Sequence, residues 1–375
     1  MTILVVPDGF KDSLTSQEVS DAICEGILAY DSGIKIHPVY ASDGGDGFLK
    51  VVKIYKPDLE VVASKTVDPL GRAIEADYLW NDKTKTAYVE LAAASGIELL
   101  AKQDRIVMQT STMGTGLQIR EAILKDAKII YIGLGGSATN DAGMGIAAGL
   151  GYKFLDKDGV QVNTCGQNLG QVQQIIQPKS SDHFPMMYAI NDVQNPLYGP
   201  NGAAHVYAKQ KGGNPEEIEA LDAGLRSIAN IVSNELTINE AHLAGDGAAG
   251  GSAYGLRVFC GAQFKRGTEF VLGLTEFDAL LATGKIDMLI TGEGKIDDQT
   301  KNGKLVSGVI KRAKEYKVPV MAICGKLELD PVQTKLLGLQ DVAQIYDSSK
   351  PEGYSYVHAK SLIAQKIKQL LACNS

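Results

Sequence analysis

At each end of this chain short apolar strands alternate with amphipathic helical stretches, while the long middle keeps a different rhythm, and that break restricts the fold more than any single motif. Residues 3–6 read as a strand, 15–30 as a helix, 34–40 as a strand and 46–55 as a helix. In the first helix Thr15 and Glu18 have capping-box spacing, Val19, Ala22, Ile23 and Ile27 share one face, and Gly33 follows the end. A βαβα order predicts a parallel sheet. Near residue 60 the pattern becomes EVVASKTV, AIEADYLW and TAYVEL, separated by Pro69, Leu70 and Gly71 and then by Asn81 and Asp82, which predicts antiparallel strands joined by turns. From residue 287 the alternation returns as DMLIT, a helix over 305–316, VPVMAIC, DVAQIY and a closing helix over 359–371.

The two ends therefore complete one another. The expected fold is α/β: a discontinuous, flavodoxin-like parallel-sheet outer domain from residues 1–65 and 269–375, interrupted by a second, larger α/β domain over 66–268 with mixed or antiparallel strands. Ligands favour clefts between domains, so the active site is expected in the cleft between these two. At 375 residues and 45% hydrophobic, the chain has enough apolar material for a core in each.

Charge and cysteine usage narrow the function. Lys plus Arg total 37 against 44 Asp plus Glu, a net charge of −7, and no basic block stands out, so nucleic acid is not an expected partner. The opening MTILVVPDGF has no basic region and too short an apolar run for a signal peptide, and no stretch approaches the roughly 20 apolar residues of a membrane helix. Cys24, Cys165, Cys260, Cys324 and Cys373 are scattered without a CxxC pair, which argues against a disulfide frame or a zinc site. A cytoplasmic protein, monomer or homodimer, is expected, with no membrane partner.

The segment IGLGGSATNDAGMG over 132–145 follows an apolar strand and leads into a helical stretch over 141–151. Such a loop predicts phosphate recognition. Backbone N–H groups unclaimed at the helix start would converge with the positive end of the dipole, Gly135 and Gly136 would let a phosphate approach the main chain, and Ser137, Thr139 and Asn140 add donors. Gly133, Gly135 and Ala138 also fit a GxGxxA dinucleotide fingerprint with Asp156 as the ribose acid, which would make the protein an NAD-dependent hydroxy-acid oxidoreductase. That fingerprint should close a short βαβ unit, yet after LGYKFL come mainly polar turn residues. A structural reading, glycines for a tight turn and close packing, and a non-catalytic nucleotide-binding regulator complete the alternatives.

Three further loops fall at expected strand tips, where open parallel sheets bind ligands. The first carries Asp8, Lys11 and Asp12, the second Asp43 ahead of Gly44, Gly45 and Asp46, and the third is TGEGKIDDQT over 291–300 with Glu293 and Asp297. Asp46 reads as a helix cap and Gly44 and Gly45 as turn residues. Gly245, Gly250 and Ser252 match the outer positions of a Walker A loop, but Gly251 stands where its lysine must be, so any nucleotide has to be held by another arrangement.

Taken together, PDGFKDSLT, SDGGDG, DPLGR, VELAAASG, STMGTG, GGSATNDAGMG, NDVQNPLYGPNGAAHVYAKQKG, GDGAAGGSAYG and ITGEGKIDDQT resemble one family closely, the type I glycerate kinases. The likeness covers nearly the whole chain; Gly9, Asp12, Lys295 and Asp298 depart from residues common in the family. The resemblance implies transfer of the γ-phosphoryl group of ATP to a hydroxyl of D-glycerate, with 2-phosphoglycerate as the family's usual product and 3-phosphoglycerate as the alternative. Resemblance and chemistry together imply that Gly135, Gly136, Ser137, Thr139 and Asn140 cradle the phosphates, and that Asp192 or Asp297 offers Mg²⁺ an oxygen ligand. Lys11 would meet the transferring phosphate or the glycerate carboxylate, with Arg72 a second candidate for the carboxylate, Asp192 and Glu293 would bind substrate, and Asp8 or Asp43 would accept the hydroxyl proton.

Overall fold

The computed structural model describes residues 1–10, 13–41, 45, 47–179, 184–236, 243–298, 300 and 305–373. Its strands in chain order are β1 (Thr2–Pro7), β2 (Lys35–Pro38), β3 (Glu60–Val67), β4 (Ala73–Asn81), β5 (Thr86–Glu90), β6 (Ile129–Gly133) and β7 (Lys153–Leu155). They continue with β8 (Gln174–Ile176), β9 (Met186–Ile190), β10 (Gln263–Lys265), β11 (Met288–Ile296), β12 (Val320–Leu327) and β13 (Asp341–Gln344). The chain divides into two compact units, Met1–Asp43 with Thr268–Ser375, and Gly44–Gly267.

The first unit holds an all-parallel sheet in the order β13-β12-β11-β1-β2. Counted along the unit's own strands this is the flavodoxin-like order, and its direction of winding reverses between β1 and β11. The sequence of β1, TILVVP, is an unbroken apolar run because both faces of the strand are covered. Ile3 and Val5 pack with Val19, Ile23 and Ile27 of helix Ser16–Tyr30 and with Ile363 and Ile367 of helix Ala359–Cys373. Leu4 and Val6, on the alternate face, are buried as well, and helix Leu305–Glu315 contacts β1 and β11. The capping box is present: Glu18 N–H donates to Thr15 Oγ1 at 3.3 Å while the Glu18 carboxylate accepts from Thr15 N–H at 2.8 Å.

The second unit is built on a mixed sheet in the order β10-β9-β6-β5-β4-β3. From β10 to β5 the strands are parallel, and the β5-β4-β3 meander is antiparallel. Because β3 pairs with β4 along its whole length, from Glu60 opposite Trp80 to Val67 opposite Ala73, it belongs to this sheet, and helix Phe48–Tyr55 groups with the same unit. The unit break therefore comes before these elements and not at residue 65, where the change of sequence rhythm puts it. Trp80, Val89, Ile130, Ile132 and Met187 from the sheet share one core with Ile119, Ile146, Leu225, Ile228 and Leu256 from the helices. The helical stretch after the glycine loop is short, Met144–Gly149, since Ala142 and Gly143 adopt left-handed φ of 54° and 68° and delay its start.

Candidate active site

In the first unit the register that puts Pro7 beside Gly292 brings Asp8 and Glu293 to neighbouring strand positions at the point where the winding reverses. Asp8 N–H donates to Gly292 O at 2.8 Å, and the Asp8 carboxylate accepts from Gly9 N–H at 2.8 Å. Glu293 is buried and accepts from Thr300 Oγ1 at 2.7 Å. Asp297 lies 3.2 Å from Lys295, whose ammonium also meets Glu328 at 2.7 Å; these two carboxylates, Glu328 foremost, raise the lysine above its ordinary range. The candidates Lys11 and Asp43 lie outside the described residues.

In the second unit three parallel strands deliver polar groups to one edge. β6 runs into the glycine loop, and Leu134 N–H donates to Ile190 O at 3.1 Å, at the end of β9. Just beyond that tip stands Asp192, and Asn191 N–H donates to Lys265 O of β10 at 3.1 Å. Arg266 follows β10, its Nε 3.6 Å from Asp192 Oδ1. The phosphate-loop candidate, Asp192 and Arg266 thus occupy adjoining carboxyl ends of a parallel sheet, a ligand-binding edge. Arg266 gave no signal in the sequence beyond being the second of two adjacent cations, after Lys265. Arg72 sits in the turn between β3 and β4, where its guanidinium donates to Asp68 at 2.5 Å and to Asp104 at 3.4 Å. These partners, Asp68 foremost, raise Arg72 above its ordinary range, and a substrate carboxylate would have to compete with both.

The glycine loop is held more tightly than its composition predicts. Gly135 and Gly136 are half-buried, while Ser137, Thr139, Asn140 and Asp141 are buried. The N–H groups of Gly143 and Gly145 donate to the Asp141 carboxylate at 3.1 Å each, and Thr112 N–H and Oγ1 donate to it at 2.8 Å each. Ile146 N–H donates to Thr112 Oγ1 at 3.0 Å. These donors are therefore not available to an anion, and the expected cradle at the helix start is corrected: Asp141 and Thr112 already occupy it. Burial drives the Asp141 carboxyl upward, opposed by the Thr112 and glycine donors. The dinucleotide reading fails locally too, because Asp156 closes an exposed turn, accepting from Asp158 N–H and Val160 N–H at 2.9 Å each.

One side chain of the loop stands out. Asn140 is fully buried, and among the described residues neither its Nδ2 nor its Oδ1 has a hydrogen-bond partner. An unsatisfied buried amide costs about 1–3 kcal/mol, so its retention points to a ligand or water that completes it.

Beside it lies Lys211, which sequence reasoning missed. It is 3% exposed, its ammonium donates to Thr139 O at 2.7 Å, and it lies 3.4 Å from Ser137 Oγ. Desolvation pushes it down to about 7, against an upward pull from Asp141. Its placement follows from Gly212, which has φ of +93° and where a Cβ would stand 1.8 Å from Arg105 O, so glycine is required to end the short turn Lys209–Lys211. The segment GDGAAGGSAYG backs the same loop. Ala249, Gly250 and Gly251 form a left-handed run, with φ of 53°, 67° and 87°, and Gly250 O accepts from Ala142 N–H at 3.2 Å. A Cβ at Gly250 would lie 1.9 Å from Thr139 O. These glycines let two main chains touch, and none stands in for a Walker lysine.

Among the described residues no group of three or more His, Cys, Asp or Glu could hold a metal, and no helix is long and apolar enough to cross a membrane. Acids at a sheet switch point and a polar glycine loop at the ends of parallel strands of a mixed sheet suit a small-molecule kinase. The chain belongs to the glycerate kinase family, whose model matches residues 3–374. A glycerate kinase of Halalkalibacterium halodurans is 39% identical over 329 residues, covering 87% of this chain and 86% of that protein. The glycerate 2-kinase of Escherichia coli K12 is 35% identical over 334 residues, 88% of this chain and 86% of its own. A crystal structure from Salmonella typhimurium LT2, of a protein assigned as glycerate kinase 2, superposes with a TM-score of 0.77 at 33% identity, covering 100% of this chain and 98% of that one. ATP-dependent glycerate phosphorylation follows from the family.

Proposed function

We propose that the chain phosphorylates the 2-hydroxyl of D-glycerate, giving 2-phosphoglycerate, with Gly135, Gly136, Ser137, Thr139 and Asn140 holding the ATP phosphates and Asp8 taking the hydroxyl proton. The observation that carries the nucleotide assignment is the buried Asn140 amide, without a hydrogen-bond partner among the described residues, inside a glycine loop at a strand tip. The product assignment draws on the relative in Escherichia coli being a glycerate 2-kinase. Asp8, just past β1, and Glu293, at the neighbouring position within β11, suit a base and a group that orients the acceptor, and Lys11, Asp43 and Arg72 remain candidates for the roles the sequence gives them.

Magnesium accompanies phosphates in kinases, keeps several waters and is held by one or two protein carboxylates together with the substrate phosphates. Asp192 or Asp297 would hold it, each now facing a cation, and bound there it would offset charge on the phosphate oxygens. Asp8 then acts on the acceptor as base at its carboxylate, within reach only if the hydroxyl comes to hydrogen-bond distance.

The test of regiochemistry is the ³¹P spectrum of the product. A phosphorus coupled to one methine proton gives a doublet and supports the 2-phosphate; coupling to two methylene protons gives a triplet and establishes the 3-phosphate. For the base, D8N should lower kcat by 10²-fold or more, about the contribution of general acid–base catalysis, and near-normal turnover would remove the assignment.

A further inference from the structure

We propose that Lys211 is a positioning residue for the nucleotide, fixing the Ser137–Asn140 segment through Thr139 O and Ser137 Oγ so that the Asn140 amide is presented to the ATP phosphates. The inference rests on the reading of that segment as the phosphate loop.

Three observations converge on it. Lys211 comes from a distant turn and reaches the loop with its ammonium out of water, 2.7 Å from the Thr139 carbonyl oxygen and 3.4 Å from Ser137 Oγ. A buried cation without a function would be replaced by an apolar side chain at no loss, since desolvation outweighs two neutral hydrogen bonds. The Walker-like segment lacks its lysine, with Gly251 in that place, and the left-handed run Ala249–Gly251 packs against the same loop, Gly250 against Thr139. Thr139 O is thus approached by both Lys211 and Gly250, and the next residue is Asn140, whose amide has no hydrogen-bond partner among the described residues.

The experiment compares K211M, K211Q, S137A, N140A and the double variant K211M/S137A in the full chain, with KM for ATP and for D-glycerate and kcat measured separately and folding checked by thermal melts. Lys211 acting through the loop raises the KM for ATP tenfold or more in K211M, leaves the KM for D-glycerate within twofold, and makes the double variant no worse than the poorer single one. K211Q, which loses the charge but keeps a donor, provides the readout if K211M does not fold, and its KM for ATP should rise while remaining below that of K211M when both fold. A folded Lys211 variant with a wild-type KM for ATP, or a double variant whose effect is the product of the singles, overturns the proposal. If S137A and N140A both bind ATP normally, the phosphate-loop reading itself fails; if they do not and K211M or K211Q does, only the role of Lys211 fails.

Discussion

A single buried ammonium changes how this protein should respond to pH. Lys211 is pushed down to about 7 in the fold from an ordinary 10.5. Below pH 7 it is charged in both folded and unfolded chains, and the fold carries the whole desolvation penalty. Between the two values the unfolded chain binds more protons, so this group's contribution to stability rises with pH. Wild type should therefore gain urea resistance relative to K211M as pH goes from 7 to 9, and parallel midpoints would show that the lysine does not titrate there. Comparing the two proteins cancels the cysteines and tyrosines they share. Gly250 gives a second test at this scale: G250A would put a Cβ 1.9 Å from Thr139 O at a φ of +67°, and left-handed strain with a backbone clash should cost about 3 kcal/mol or more. Lys211 could not be found from the sequence. AKQKG reads as a solvated turn, and Lys211 points inward only because the chain bends at Gly212 against Arg105, a contact more than a hundred residues away along the chain. Asp8 was legible, because an acid just beyond an apolar strand needs no long-range information to be placed at a strand tip; Glu293 was expected in a loop after DMLIT but lies within β11, which pairs with β12 as far as Ile296.

Elements succeed or fail by how they are capped. Helix Phe48–Tyr55 starts after Gly47 with no side-chain cap of its own. Glu90, at the end of β5, serves instead: its two oxygens accept from Gly47 N–H and Leu49 N–H at 3.0 Å each, where a carboxylate also complements the helix dipole. E90A should destabilise the protein by about 1–2 kcal/mol, a loss of roughly 2–8 °C in Tm for a unit of this size. A melt unchanged by E90A would mean that water replaces the cap without loss. The longest helix, Pro215–Leu236, was not read from the sequence, whereas the longer strands and the helices Ser16–Tyr30, Leu305–Glu315 and Ala359–Cys373 were legible because burial imposes their periods of two and 3.6 residues. The glycine-loop helix was not. Its start is set by Asp141 and Thr112 satisfying its first N–H groups, and donors so consumed look the same in sequence as donors waiting for phosphate.

For the whole molecule, the returning βα rhythm was enough to predict one sheet assembled from both chain ends, since parallel strands need crossovers and the ends supply complementary ones. The break between units does not fall at residue 65, because β3 pairs with β4 along its length and helix Phe48–Tyr55, which continues the βα rhythm of the first unit in sequence, groups with the second. This division makes a prediction about the two substrates. If ATP belongs to the glycine loop and D-glycerate to the acids of the flavodoxin-like sheet, ligand protection should sort by unit. Hydrogen exchange with a non-hydrolysable ATP analogue and Mg²⁺ should slow amides within 134–145 and 248–255, while D-glycerate alone should slow those within 8–10 and 291–298. Local opening governs exchange in such loops, so even modest affinity becomes visible as protection there. Nucleotide protection restricted to 8–10 and 291–298 would move ATP to the switch point of the parallel sheet and leave the Asn140 amide to some other ligand.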